Sequence, residues 1–352
     1  MAISSTQNIN FAKCLPVLLA VRDIFQFKLT PVTEMDIKGI GKTNLNIEGA
    51  FKDVTINGYV EVKNASVKYK TLAGSAENVN GKVKFVGEKV YYDDLIGFVD
   101  GIKLIPSGYS TLHGYSDVKL YMPQLDLKKG QKFVYGSPLL DEVQIALKDI
   151  IDIKGVADTA IFLKGTDKNL DSNGIIKFND AFLKYKGYGE PFSKLKGQLR
   201  YKNEDIYFDN INGNVLENNV TVSGFVGALS KNIDMTISSK IVRLEDAKKF
   251  VMNSFLLAKS QKIVKDYTFV KGTAQFLLVL KGKSDQDCLK SLIFSNTDAV
   301  FENKQVGFPV KISQGVINIT DDTVQTQGIQ ARAGNTDFTV QGKVSNLKAN
   351  IK

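Results

Sequence analysis

Apolar and polar residues alternate with a period of two over much of the chain, the mark of strands with one face in water. From Gly58 onward, Val60 and Val62 alternate with Glu61 and Lys63. After Asn64 the phase slips by one, so that Ala65, Val67 and Tyr69 are apolar and Ser66, Lys68 and Lys70 lie between them. The same slip follows Asn179-Asp180, with Ile176 and Phe178 before it and Ala181, Leu183 and Tyr185 after it. A third version has Phe294 before the slip and Ala299 and Phe301 after it. An alternation that slips at an Asn/Asp position predicts a β-bulge or a sharp bend. One-sided strands continue through Val83, Phe85, Val90, Tyr92 and Leu95, and again through Leu199, Tyr201, Ile206, Phe208 and Ile211. They recur through Ile317, Ile319, Val324 and Ile329. Lys, Asp, Asn and Glu dominate the positions between, which predicts antiparallel pairing with one solvated face.

Three short segments depart from this pattern and predict helices of a few turns. They are Phe11–Phe27, Ser137–Asp149 with Ser137 as N-cap and Pro138 at the first helical position, and Leu244–Lys262 with Glu245-Asp246 at its start.

The pattern repeats. MDIKGIGKTNLNIEG (35–49) returns as IDIKGVADTAIFLKG (151–165) and, more loosely, as FVKGTAQFLLVLKG (269–282). Gly39, Gly155 and Gly272 are 116 and 117 residues apart, and Gly108, Gly224 and Gly342 are 116 and 118 apart. The expected organisation is the tail of a preceding unit (1–35), two whole repeats (36–151 and 152–268) and a shortened third (269–352).

Three repeats of six or seven strands make a long sheet with one apolar face, and three short helices are too few to cover it. Such a face must be buried against something. One solution is a closed solenoid or sandwich with a dry core, suited to a structural spacer or an adhesive stalk. The other is an open trough whose lining meets acyl chains, because a large uncovered apolar surface marks a binding site. The lining would then be Val60, Val62, Val67, Val83, Phe85, Val90, Tyr92 and Leu95 in the first repeat. In the second it would be Ile176, Phe178, Leu183, Leu199, Tyr201, Ile206, Phe208 and Ile211, and in the third Phe294, Phe301, Ile317, Ile319 and Val324.

Composition narrows the function classes. There are 46 Lys plus Arg against 37 Asp plus Glu, a net charge of +9, but only four are Arg. A nucleic-acid reader would use more Arg, whose planar fork matches phosphates and base edges. One His and two Cys leave no material for a His-rich metal site or a disulfide framework. Gly39-Ile40-Gly41-Lys42-Thr43 ends like a phosphate-binding loop, but Asp36 stands where that motif requires its first Gly. His113 has no companion in sequence, Cys14 and Cys288 lie in unlike contexts, and Asp93-Asp94 reads as a turn. No catalytic residue, metal or cofactor is expected. The lysines Lys63, Lys68, Lys70, Lys82, Lys84 and Lys89 fall on the wet face, where they keep a long sheet soluble and blunt its edges.

The run Gly58–Gly108, with its Asn-Ala step, VNGKVKF (79–85) and VYYDDLIG (90–97), returns as Gly174–Gly224 with LKGQLRY (195–201) and IYFDNING (206–213). In the order of these pieces, helical insertion included, the chain resembles the AsmA and TamB superfamily of bacterial envelope proteins over nearly its whole length. The resemblance implies a mainly β fold, an elongated, twisted, taco-like antiparallel groove similar to the bridge-like lipid transfer proteins. It also implies phospholipids or other acyl lipids as cargo, a periplasmic place between the two membranes of a diderm bacterium, and support of outer-membrane biogenesis. Partners would be inner- and outer-membrane proteins, met through other parts of a chain anchored in the inner membrane. No nucleic acid and no enzymatic activity are implied, and the segment itself would be monomeric.

The longest apolar stretch near the start, Leu15–Val21, has seven residues, where a spanning helix takes about 20. The ragged repeat boundaries predict a window cut from a longer tandem array. The parent gene should therefore continue past Lys352 with another DIKG-like strand after a helical segment. Sequencing the flanking gene checks this; a stop codon directly after Lys352 together with a leader before Met1 would refute it.

Overall fold

The computed structural model describes residues 3–10, 35–50, 53–69, 74–92, 94–111, 114–136, 144, 147–166, 169–186, 188–202, 205–227, 230–254, 261, 265–283, 289–305, 307–320 and 322–345. Among the described residues the fold is mainly β, with 20 strands and two short helices, and every strand pair is antiparallel. The chain forms two compact units: unit 1 comprises 1–147 and 156–176, and unit 2 comprises 148–155 and 177–352.

Unit 1 is a meander. Strands β1 (Ile3–Asn10), β2 (Met35–Ala50), β3 (Asp53–Tyr69) and β4 (Ser75–Gly87) pair in succession. The short β5 (Lys89–Tyr91) and β6 (Ile96–Val99) together occupy the next place, between β4 and β7 (Ile102–Thr111). Then come β8 (Tyr115–Asp126) and, after helix α1 (Leu127–Tyr135), β10 (Val156–Thr166), paired with β8. In unit 2, β9 (Ile150–Lys154) pairs with the second half of β11 (Asn169–Tyr185). Strands β12 (Phe192–Lys202), β13 (Asp205–Val215), β14 (Asn218–Gly227) and β15 (Asn232–Arg243) pair in order. After helix α2 (Leu244–Asn253), β16 (Tyr267–Lys283), β17 (Leu289–Asn303), β18 (Pro309–Ile319), β19 (Thr323–Ala333) and β20 (Thr336–Ser345) continue the succession.

Of the helix expected over 137–149, Gln144 and Leu147 are helical and Lys148 and Asp149 form a turn. Residues 137–143, 145 and 146 lie outside the described residues, and a further helix, α1, precedes them at Leu127–Tyr135. Its N-cap is Asp126, whose carboxylate accepts from the Lys129 N–H at 2.9 Å. Helix α2 begins at Leu244 as read, and the chain is already extended at Ser254. The helix expected over Phe11–Phe27, together with His113, Cys14, Cys288 and Asp93, lies outside the described residues. Gly41-Lys42-Thr43 sits in the middle of β2, opposite Val62, Glu61 and Val60, so it forms strand rather than a phosphate-binding loop.

In each unit the strand pairing is interrupted by register shifts. Register shifts fall between Val62 and Ala65, between Phe208 and Ile211, and between Thr273 and Gln275. Left-handed backbone marks the spots: Asn64 at φ 47°, Asn210 at φ 48° and Asn296 at φ 47°. Asn is one of the few side-chain-bearing residues that tolerates this region. Side chains satisfy the freed backbone groups. The Asn64 N–H donates to Asn80 Oδ1 at 3.0 Å, and the Gln124 N–H donates to Asp158 Oδ1 at 3.0 Å.

Glycine makes the neighbouring strands meet at these points. A Cβ on Gly39 would lie 2.7 Å from Ala65 Cα, one on Gly155 3.0 Å from Ala181 Cα, and one on Gly272 2.7 Å from Ala299 Cα. The apolar core gathers here. Ala65, Ala181, Ala274 and Ala299 are 1–4 % exposed, with Leu95, Phe178, Ile211, Ile312 and Ile329 buried along the same zones. A smaller cluster of Ile102, Met122 and Leu125 packs under Phe133 of α1.

A Cβ on Gly81, whose φ is +131°, would stand 1.9 Å from the Asp94 carbonyl oxygen. Gly81→Ala should therefore lower the unfolding free energy by about 2 kcal/mol or more. Gly334→Asn, at φ +57° with nothing within 4 Å, should stay within about 0.5 kcal/mol of the parent. Chemical denaturation of the two variants side by side checks the contrast.

Candidate functional site

Residues directly opposite one another in antiparallel strands share a face, so the registers trace each face residue by residue. In unit 2 one line crosses eight strands: Ile211, Val222, Ile237, Leu278, Leu292, Ile319, Val324 and Val344. Every member is apolar. One residue further along, on the opposite face, the same eight strands read Asn212, Thr221, Ser238, Leu277, Ile293, Asn318, Gln325 and Lys343. The parallel line through Leu199, Phe208, Gly224, Met235 and Leu280 is apolar too, as is Tyr201, Ile206, Val226 and Ile233.

Unit 1 is built alike. Val60 lies opposite Thr43 and Val83, and Val62 opposite Gly41 and Gly81. Phe85 lies opposite Gly58 and Val90, while Val67 faces Ile37 and Ala76. The face continues through Val118 and Leu163, and through Leu120 and Ile161.

The remaining lining candidates fall as follows. Leu95 is buried beside Gly81, and Tyr92 lies past the end of β5, half-buried, its N–H donating to the Gly108 carbonyl. Ile176 is half-buried, Phe178 is buried, and Leu183 lies opposite Ile153. Phe294 lies between Phe276 and Ile317, and Phe301 between Val270 and Val310.

The apolar lines are incompletely covered. Of the eight residues in the long line of unit 2, Ile211 alone is buried; the next six are half-buried and Val344 is 57 % exposed. Fully buried apolar side chains such as Ala65, Ala181 and Ala299 collect where the strands are interrupted. On the apolar face the Thr43 and Thr159 hydroxyls are buried without a hydrogen-bond partner in the structure.

Sequence reading missed part of this face. Val222, Met235, Ile237, Val118 and Leu120 carry the same period-2 signal, in strands for which no lining was named. The run Phe276–Leu280 hides its sides, being apolar at every position. Pairing places Phe276, Leu278 and Leu280 on the apolar face and Leu277 and Val279 on the polar one.

The polar face is tied across strands by a recurring ladder. In unit 1 it reads Lys84, Tyr91, Tyr109, Asp117, Lys164, and in unit 2 Arg200, Tyr207, Phe225, Asp234, Lys281. Ring centroids are 5.7 Å apart in Tyr91–Tyr109 and 5.6 Å apart in Tyr207–Phe225. The acid and the terminal lysine are 3.6 Å apart in unit 1 and 3.0 Å apart in unit 2. Arg200 also grips Asp209 through two nitrogens, with Nη2 at 2.8 Å from Oδ1, and Gln198 donates to the same carboxylate at 3.0 Å. The Arg200 hydrogen bond, first among the causes, holds the Asp209 carboxyl below the usual range.

Among the described residues no helix is long and apolar enough to cross a membrane, and no group of three or more His, Cys, Asp or Glu is placed to hold a metal ion. The chain matches no family model, no curated protein and no solved structure.

Because the folded-state pKa of Asp209 is depressed, its contribution is present above the unfolded value and lost as pH falls through the folded one. Asp209→Asn should lower the melting temperature slightly near neutral pH, since an exposed pair is worth about 0–1 kcal/mol. The gap between parent and variant should close as pH drops below about 4. Melting curves across that range check both the sign and the window.

Proposed function

We propose that this chain is a stretch of a non-enzymatic β-repeat that carries acyl lipids along its apolar face, the headgroups remaining at the open rim. The observation that carries the reading is the line Ile211–Val222–Ile237–Leu278–Leu292–Ile319–Val324–Val344, apolar across eight strands yet half-exposed over most of its length. A dry core of this extent would bury such residues fully. Bulges bend strands and increase their twist. Such bulges, with the apolar residues buried beside them, suit a trough whose floor is sealed and whose walls are open.

The backbone also favours three repeats over 36–151, 152–268 and 269–352. The Gly–Ala approach recurs at Gly39/Ala65, Gly155/Ala181 and Gly272/Ala299. A helix follows β8 and another follows β15, at equivalent places. Near-identical repeats suit transport, because each buried methylene contributes about 0.8 kcal/mol wherever it lies along the path. A chain can then slide without a deep trap. With the resemblance to the AsmA and TamB superfamily, the reading extends to a segment of a periplasm-spanning bridge between inner and outer membranes, taking phospholipids as cargo and supporting outer-membrane biogenesis.

Phe208, opposite Leu199 and Gly224, tests it. In an open trough Phe208→Asp stays hydrated, so lipid loading should fall while the melt is nearly unchanged. In a sealed core the same change strands a carboxylate, costing several kcal/mol of the roughly 5 to 15 that hold a domain together. Native mass spectrometry for co-purifying lipid, fluorescent-lipid uptake and thermal melting are the measurements. Lipid-free parent protein that takes up no lipid overturns the proposal, and a collapsed melt in the variant points to the dry core.

A further inference from the structure

The polar face of unit 1 carries apolar side chains that its strand pairing does not require. Ile96 lies opposite Asn80, Phe98 opposite Glu77 and Lys103, and Tyr121 opposite Ile105 and Ala160. Unit 2 repeats these pairings with other chemistry: Asn212 opposite Lys196, Asn214 opposite Ser193 and Asn219, Ser238 opposite Thr221 and Leu277. Phe162, opposite Lys119, corresponds to Val279 opposite Thr236. The same ladder and the same meander therefore form with neutral polar residues at most of these places. Ile96 is 38 % exposed and Phe162 36 %, and Phe98, Ile105 and Tyr121 are half-buried on the same face.

Charge changes too, although Asn80 and Glu77 correspond to Lys196 and Ser193 and so offset part of the change. Lys89, Lys103 and Lys119 of unit 1 correspond to Asp205, Asn219 and Thr236 of unit 2. Lys119 Nζ stands 5.7 Å from the Tyr121 ring and 5.8 Å from the Phe162 ring, and Lys89 Nζ stands 4.4 Å from the Tyr109 ring. The acids here are Glu77, opposite Phe98, Asp117, paired with Lys164 at 3.6 Å, and Asp158, which accepts from the Gln124 N–H, with Asp100 and Glu88 at the margin; the lysines on the face are Lys82, Lys84, Lys89, Lys103, Lys119 and Lys164. A basic excess remains, all of it lysine.

We propose that this face of unit 1 docks on a bilayer surface bearing anionic headgroups. Tyrosine rings, apolar in body and polar at the tip, settle at the level of the headgroups. Lysines are attracted to an anionic leaflet over a Debye length, and as point charges they suit a fluid layer better than the bidentate grip of a single phosphate. The surface is opposite to the apolar face, so docking leaves the lipid path free. The inference stands apart from lipid carriage, since adsorption to a membrane requires no uptake of lipid.

The test is co-sedimentation with vesicles of phosphatidylglycerol and phosphatidylcholine, against vesicles of phosphatidylcholine alone. One variant takes unit 2's own residues: Ile96→Asn, Phe98→Asn, Ile105→Thr, Tyr121→Ser and Phe162→Val. A second carries only Lys103→Asn and Lys119→Thr, and decides the matter if the first fails to melt like the parent. The parent should bind the anionic vesicles, release them at high salt and leave phosphatidylcholine alone, and each variant should lose about tenfold or more in binding. Lys311→Gln with Lys343→Gln, on the polar face of unit 2, should change it less than about twofold. A parent that ignores anionic vesicles overturns the proposal. So does an equal loss from the unit 2 pair, which would mean adsorption by net charge. Fluorescent-lipid uptake measured in parallel keeps the two proposals separate: uptake without vesicle binding ends this one and leaves carriage standing.

Discussion

At Gly39 the backbone of the neighbouring strand comes so near that no methyl group fits between them, and the same approach returns at Gly155 and Gly272. Each glycine faces an alanine, so neither partner can hold the strands apart. The cost is a weakened strand, because glycine gives up more conformational freedom than any other residue. The gain is a seam where long strands change direction without losing their pairing. Asn64, Asn210 and Asn296 absorb the extra residue in left-handed conformation, and the side chains of Asn80 and Asp158 bind freed backbone N–H groups. Fully buried apolar side chains such as Ala65, Ala181 and Ala299 collect beside the seam.

A sheet with so little cover needs another source of rigidity, and its polar face supplies one. The ladders cross five strands each: ring contacts join Tyr91 to Tyr109 and Tyr207 to Phe225, cation–π contacts place Lys89 over Tyr109 and Arg200 over Tyr207, and ion pairs join Asp117 to Lys164 and Asp234 to Lys281. Single cross-strand pairs contribute about 0.2–1 kcal/mol, so a ladder of several holds register where a second layer would otherwise do so. The polar face therefore contributes to the stability of the fold, while the apolar line of unit 2 stays half-exposed over most of its length.

Much of this was written in the sequence. Period-2 alternation placed Val60, Val62 and Val83 on one side, and it located the slip at Asn64, because each strand residue points opposite to its neighbour whatever the wider fold. Glycine spacing revealed the recurring seam, since the positions that must lack a side chain stay fixed relative to the strands they join. The helix α1 was not legible, because the capping preference of Asp126 is a weak local signal. The run Phe276–Leu280 was undecidable, because alternation is silent where every residue is apolar.

Sequence alone thus determined the strands, their slips and the chemistry of each side, all of which follow from local backbone geometry. Tertiary structure alone decided which residues stand opposite one another: that Ile211 and Val344 end one apolar line, that Tyr91 meets Tyr109, and that Ile96 and Phe162 belong to one patch. It also decided how far each apolar residue is covered. Alternation gives a side chain its face, but burial depends on what other strands bring against that face, and those strands lie far away in the chain.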